Sequence, residues 1–221
     1  VITGVDGSGK TVQTKLLCER LLKEGYSVVT TDFPQYGKTF FADMVIKYLR
    51  GEFGSADSVS PYLAALLYAG DRWECKEQIN IWLREGKIVV SNRYVCDNMA
   101  HQGGKITHSA DREKFFQWLD SLEHQVFAVP RSNVNILLYV PVEIAYQLVE
   151  KKEPRAYLAG EKKDIHEEDI NHMRHAQQTL LEIAQGEKEW IIIDCTKDGA
   201  LMSEQMIADR VWGAVQGVLL S

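Results

Sequence analysis

The sequence predicts a three-layer α/β domain in which a five-stranded parallel sheet is flanked by helices. Three observations carry that reading. Five short runs, β-branched or aromatic and nearly continuous in hydrophobicity, recur along the 221 residues, the texture of strands buried on both faces of a sheet. Amphipathic stretches long enough for helices separate them, so successive strands are joined by right-handed helical crossovers. Hydrophobic residues make up 45% and charged residues 25% of the chain, which supplies a buried core and excludes extensive disorder.

Taken in order, Val1–Thr3 is the tail of a first strand, and so abrupt an opening points to residues upstream of Val1. A glycine-rich turn leads into a helix over Thr11–Glu24, which Gly25 closes as a left-handed cap. The second strand is Ser27–Asp32. Helices follow over Phe40–Arg50 and Pro61–Glu85, the latter closed by Gly86. Lys87–Ser91 is the third strand, Ala110–Leu122 a helix and Asn135–Val140 the fourth strand. Pro141, whose fixed φ suits a first helical position, opens a helix over Val142–Lys152. Glu167–Gln185, strand Trp190–Asp194 and helix Ser203–Val218 complete the series. Lys151–Asp164 differs in texture: it is polar, charged and interrupted by Pro154 and Gly160. It reads as a solvated loop or, more sharply, as a mobile lid over about residues 151–165. No repeat, low-complexity tract or linker divides the chain, so residues 1–221 form one domain.

Lys and Arg number 25 against 31 Asp and Glu, a formal net charge of −6. That balance argues against a nucleic-acid surface, which needs a basic excess on one face. It leaves room for polyphosphate ligands, which need only a few well-placed cations. Cys18, Cys75, Cys96 and Cys195 form no C-x-x-C pair and match no metal template, so they read as reduced thiols of a cytoplasmic protein. No apolar run approaches the roughly 20 residues of a membrane helix, and no signal peptide precedes the first strand. His172 and His175 share a helix face with His166 nearby, but without a Cys or carboxylate motif they make no zinc site.

The most specific feature is Gly4-Val5-Asp6-Gly7-Ser8-Gly9-Lys10-Thr11, a complete G-x-x-x-x-G-K-[ST] string between a strand and a helix. Its glycines let successive backbone N–H groups converge on phosphate oxygens, and the helix adds its positive end. The string predicts the P-loop NTPase version of the α/β fold. Gly4, Gly7, Ser8, Gly9, Lys10, Thr11 and Val12 are its cofactor-binding residues, with Lys10 reaching the β/γ-phosphates and the Thr11 hydroxyl binding Mg²⁺. A GTPase would add N-K-x-D, and Thr196-Lys197-Asp198 has its Asp one position early. Ile191-Ile192-Ile193-Asp194 imitates a motor ATPase's acidic strand end, but it lies on the last strand, away from the loop.

Four segments decide the subclass. Val5–Gln13 carries an Asp inside the phosphate loop, and Phe33-Pro34 follows the second strand. Leu67-Tyr68-Ala69-Gly70-Asp71-Arg72-Trp73-Glu74 lies on a helix, and Ser91-Asn92-Arg93-Tyr94 ends the third strand. In their order and spacing the chain resembles the thymidylate kinase family of nucleoside monophosphate kinases along nearly its whole length. The resemblance implies ATP- and Mg²⁺-dependent phosphorylation of a deoxynucleoside monophosphate, dTMP first, in a homodimer. The alternatives are another acceptor such as dUMP, dCMP or a nucleoside, and a nucleotide-binding paralogue without turnover.

The resemblance also implies two acceptor-binding segments, residues 33–72 and 92–102. Tyr68 and Arg72, four apart, share a helix face: the ring stacks on a pyrimidine and the guanidinium donates to a ring carbonyl. Read without the family, they are an ordinary core aromatic and a surface ion pair. Arg93 emerges at the carboxyl edge of the sheet, where α/β ligands bind, and contacts the acceptor phosphate. Asp6 bonds the 3′-hydroxyl and Asn98 meets the pyrimidine edge. His101 stands where relatives often carry Tyr or Phe against the sugar's 2′ carbon. Phe33 and Gln102 complete the acceptor set. Since Gly7-Ser8 offers no cation, Arg155 is expected to enter from the lid as a catalytic residue beside Lys10 and Arg93. Lys151, Lys152, Lys162 or Lys163 would assist it, with Glu167 orienting the lid. Cys195–Gly199 is expected near adenine. Two departures stand out: Asn92 replaces a strand-end Asp near the metal, and Asp32 replaces an Arg that grips the acceptor phosphate, with Gln35 and Lys38 as nearby substitutes.

Overall fold

The computed structural model describes residues 1–56, 58–150, 170–185 and 188–219. Strands β1 (Ile2–Thr3), β2 (Val28–Asp32), β3 (Ile88–Asn92), β4 (Asn135–Tyr139) and β5 (Trp190–Asp194) form one sheet in the order β2-β3-β1-β4-β5. Every pairing is parallel, with Ile2 opposite both Asn92 and Ile136. The sheet is the predicted one, shifted by at most a residue at its ends.

Helices α1 (Lys10–Lys23), α2 (Phe40–Leu49), α3 (Pro61–Arg84), α4 (Val95–Gly103), α5 (Ser109–Asp120), α6 (Val142–Glu150), α7 (Ile170–Ala184) and α8 (Glu204–Leu219) cover both faces. Strand β4 shows why two layers are needed. Ile136 and Leu138 point into a core shared with α1 and α8, while Leu137 points the other way against Ala100, Leu180 and Ala184 of α4 and α7, as period-two alternation requires. The edge strands are covered less completely: Thr30 of β2 and Ile192 of β5 are exposed.

Gly25 and Gly86 close α1 and α3 as expected. Each has positive φ (88° and 71°), and Tyr26 and Lys87 return N–H bonds of 3.0 Å to Leu21 and Trp82, the 6→1 bond of a Schellman cap. Pro141 stands one position earlier than predicted, its carbonyl accepting from Ala145 N at 3.0 Å. Four elements are new. Helix α4 lies outside the predicted helices: it is only nine residues long, and its polar Asp97, Asn98 and Gln102 are buried along with Val95, Cys96 and Ala100. A π-helical turn over Ser121–Val126 prolongs α5, and β6 (Thr196–Lys197) and β7 (Ala200–Leu201) form a short antiparallel hairpin. Among the described residues no helix is long and apolar enough to cross a membrane.

Candidate active site

Because β1, β2 and β3 are adjacent and parallel, their carboxyl ends deliver the glycine loop, Phe33 and Arg93 to one edge. The loop runs from Gly4 to the start of α1. Gly7 has φ 83° and a Cβ there would sit 2.2 Å from the Ala145 carbonyl oxygen, so close packing alone demands glycine. Gly9 has φ 87° with nothing within 4 Å, and its demand is conformational only. It caps α1 with no side-chain bond. The first N–H groups of that helix therefore look for an outside acceptor, the arrangement that holds phosphate. Lys10 Nζ donates to the carbonyls of Gly4 (2.7 Å) and Val5 (2.9 Å) and lies 3.9 Å from Asp6 Oδ1.

At the end of β3, Arg93 adopts φ 66°, a left-handed conformation that a side-chain-bearing residue keeps only when its surroundings enforce it. Its N–H donates to the Ile2 carbonyl at 3.0 Å. The guanidinium meets three acceptors: Asp6 Oδ1, Asp97 Oδ1 at 3.1 Å and His101 Nε2 at 3.2 Å. Burial alone would lower its pKa, but Asp6 and Asp97 outweigh that and raise it, so the cation persists. His101 is the converse. Burial, then Arg93 and His172, hold its pKa well below 6.5, and its Nδ1 lies 3.1 Å from His172 Nε2. Beside them Asn92 Nδ2 is 3.5 Å from Thr11 Oγ1, and the buried Asn92 Oδ1 has no protein partner.

The far end of the site is built on α3. Arg72 is only 2% exposed and pairs with Glu123, which is fully buried in the π-helical turn. Nε lies 3.1 Å from both carboxylate oxygens and Nη2 also donates to Oε1. The ion pair of the plainer reading exists, but it is interior. Burial lowers and Glu123 more than restores the Arg72 pKa. The guanidinium carbon stands 6.0 Å from the Phe33 ring centre. Asn98 Nδ2 donates to the Ala65 carbonyl at 3.0 Å, leaving Oδ1 buried without a protein partner; both amide atoms of the fully buried Gln102 are in the same condition. Tyr68 packs edge-on to Tyr48, ring centres 6.3 Å apart.

One cavity of about 770 Å³ runs across all of this. Asp6, Gly7, Ser8, Gly9, Lys10, Thr11, Val12, Phe33, Tyr68, Arg72, Asn92, Arg93, Asn98, His101 and Gln102 line it. Gly4 sits beneath, holding Lys10 through its carbonyl. Leu201, Met202 and Ile207 wall the end beyond Val12, so residues just past the Cys195–Gly199 stretch form that apolar end. Arg155, Lys151, Lys152, Lys162, Lys163, His166 and Glu167 lie outside the described residues. Asp194 does not line the cavity; it accepts from Thr196 N and Oγ1 at 2.8 and 2.7 Å. Gln35 does not line the cavity; its Nε2 donates to Thr31 Oγ1 and the Asp32 carbonyl.

Four acidic residues that position the site had no role from the sequence. Asp97 joins Arg93 to the start of α4, accepting also from Tyr94 N; its i,i+4 spacing from Arg93 was the available signal. Asp71 accepts from Gln35 N and Thr39 Oγ1, and Glu74 from the N–H groups of Phe40 and Phe41, so α3 anchors the segment that follows Phe33. Glu123 gave no signal at all.

A family model described as "Thymidylate kinase" matches residues 2–207. The chain belongs to the thymidylate kinase family. Thymidylate kinase from Mycobacterium tuberculosis is 30% identical over 199 residues, covering 89% of this chain and 91% of that protein. The one from Thermomicrobium roseum is 28% identical over 218 residues, covering 98% and 93%. The fold matches a solved thymidylate kinase of Candida albicans with a TM-score of 0.75 at 20% identity, over 98% of this chain and 89% of that one. Membership of that family makes the protein an ATP-dependent nucleoside monophosphate kinase. The donor set fits a magnesium ion: the Thr11 hydroxyl, which faces Asn92 Nδ2 at 3.5 Å, and the buried, unpartnered Asn92 Oδ1 are neutral oxygens, suited to an ion that keeps several waters and draws its charge balance from substrate phosphates.

Proposed function

We propose that the protein transfers the γ-phosphoryl group of ATP to dTMP, giving ADP and dTDP. The observation that carries the choice of base is the pairing of Asn98 with Arg72. Asn98 Nδ2 faces only acceptors, the Ala65 carbonyl at 3.0 Å and Glu123 Oε1 at 3.5 Å, so its amide orientation is fixed and Oδ1 is offered as an acceptor. Glu123 engages Nε and Nη2 of Arg72 and leaves Nη1 to donate. A base carrying an N3–H donor beside a keto oxygen complements this pattern. Cytosine, with an N3 acceptor beside an amino donor, opposes it.

Arg93 grips the acceptor phosphate, Lys10 and the start of α1 hold the β- and γ-phosphates, and Asp6 takes the sugar 3′-hydroxyl. Phe33, Tyr68 and Gln102 enclose the base. Thr11 and Asn92 would hold a magnesium ion, which would supply charge neutralisation for the phosphates. Attack by a phosphate oxygen needs no general base, because positioning and charge neutralisation dominate. Arg155 is the proposed additional cation. The resemblance and the exposed apolar residues Phe40, Tyr62 and Leu63 favour a homodimer, checked by light scattering; four free cysteines suit a cytoplasmic location.

A coupled assay of ADP release over an acceptor panel tests this reading. It is expected to show dTMP and dUMP turned over, dCMP at least about 10²-fold poorer in kcat/KM, and Arg155→Ala about 10³-fold down in kcat. Absence of turnover with both dTMP and dUMP would overturn it.

A further inference from the structure

We propose that His172 is a positioning residue for the acceptor site: through His101 it selects the one imidazole tautomer that can hold Arg93. The inference rests on the reading of Arg93 as the acceptor-phosphate ligand. A guanidinium has donors and no acceptors. His101 Nε2, 3.2 Å from Arg93 Nη1, therefore presents its lone pair, and the ring hydrogen sits on Nδ1. That Nδ1 faces His172 Nε2 at 3.1 Å, so His172 accepts and carries its own hydrogen on Nδ1. Both rings are neutral, and hydrogen bonds run in one direction from Arg93 to His101 to His172. The opposite tautomer of His101 would set N–H against N–H at the guanidinium.

The rings lie nearly parallel, 29° apart with centres 5.4 Å apart, at the packed contact between α4 and α7. His172 is 8% exposed, so solvent does not readily replace it as acceptor. The arrangement has an electrostatic rationale. Asp6 and Asp97 already set two negative charges against Arg93. A third carboxylate would fix the guanidinium equally well but would repel an incoming phosphate. A neutral imidazole fixes the direction of Nη1 without that repulsion, provided its tautomer is correct, and the partner of its second nitrogen decides the tautomer.

The test uses the full chain with ¹⁵N-labelled histidine and three variants, His172→Gln, His172→Phe and His101→Gln, the last assigning the His101 signals. Ring ¹⁵N spectra at pH 7.5 are expected to show His101 with its hydrogen on Nδ1 in the wild type and in His172→Gln, whose amide oxygen keeps an acceptor in place. His172→Phe is expected to lose that tautomer and to raise KM for dTMP about tenfold, one hydrogen bond's worth, with KM for ATP within about twofold. His172→Gln should stay within about twofold in both. A wild-type His101 carrying its hydrogen on Nε2, or doubly protonated, would overturn the proposal, as would Gln and Phe variants that behave alike. Should dTMP not be phosphorylated at all, the proposed function falls, while the tautomer still decides this inference either way.

Discussion

Arg72 is the largest fully buried side chain among the described residues, and its charge is balanced inside the protein by Glu123. Removing one member of such a pair leaves the other charge stranded away from water, which costs about 3–5 kcal/mol. Glu123→Ala is therefore expected to lower the urea midpoint by an amount corresponding to that loss, and to weaken dTMP binding because Nε and Nη2 no longer hold the fork in place. Chemical denaturation followed by dTMP titration checks both. The two partners were unequally legible. Arg72 was visible because it lies four residues from Tyr68 on a helix and belongs to a recognisable segment. Glu123 was invisible, since a lone acid amid Leu122, His124 and Gln125 looks like any solvated charge, and only the π-helical turn carries it indoors.

The glycine loop separates two demands that sequence patterns treat alike. At Gly7 a methyl group would collide with the backbone of α6, 2.2 Å from the Ala145 oxygen, whereas at Gly9 it would meet nothing within 4 Å. Gly7→Ala is expected to cost about 3 kcal/mol or more, because two backbones must part, and to abolish ATP binding. Gly9→Ala should cost only the about 1–2 kcal/mol of a left-handed residue with a Cβ. Thermal melts with and without ATP distinguish the two. Elements bounded by local signals were legible throughout: Gly25 and Gly86 marked real caps, and continuous apolar runs marked all five strands. Helix α4 was missed for a reason rooted in its job. It carries Asp97, Asn98, His101 and Gln102 inward to the cavity, where Asp97 and His101 meet the Arg93 guanidinium, so its polar side chains do not mark a solvent-facing stripe.

For the molecule as a whole, His101 ties the fold to pH. Its pKa in the folded protein lies well below 6.5, so the unfolded chain binds a proton that the folded chain refuses. A depressed pKa contributes stability above the unfolded value and loses it as pH falls through the window down to the folded one, at up to about 1.4 kcal/mol per pH unit. Unfolding at pH 7.5 and 5.5 should therefore show a smaller acid loss in His101→Gln than in the wild type, by up to about 1 kcal/mol. The three-layer architecture and parallel topology were legible from alternation alone, whereas this coupling was not, because it needs α4 and α7 side by side. The strand order has a last consequence, for the protein's own making. The central strand β1 pairs with β3 and β4, placing Ile2 beside Asn92 and Ile136. A chain emerging from the ribosome at about 5–20 residues per second exposes its glycine loop well before the fourth strand but cannot seat it until that strand has been translated. Competence to hold phosphate arrives only with that strand, and a nascent chain halted before it should elute unretained from immobilised ATP.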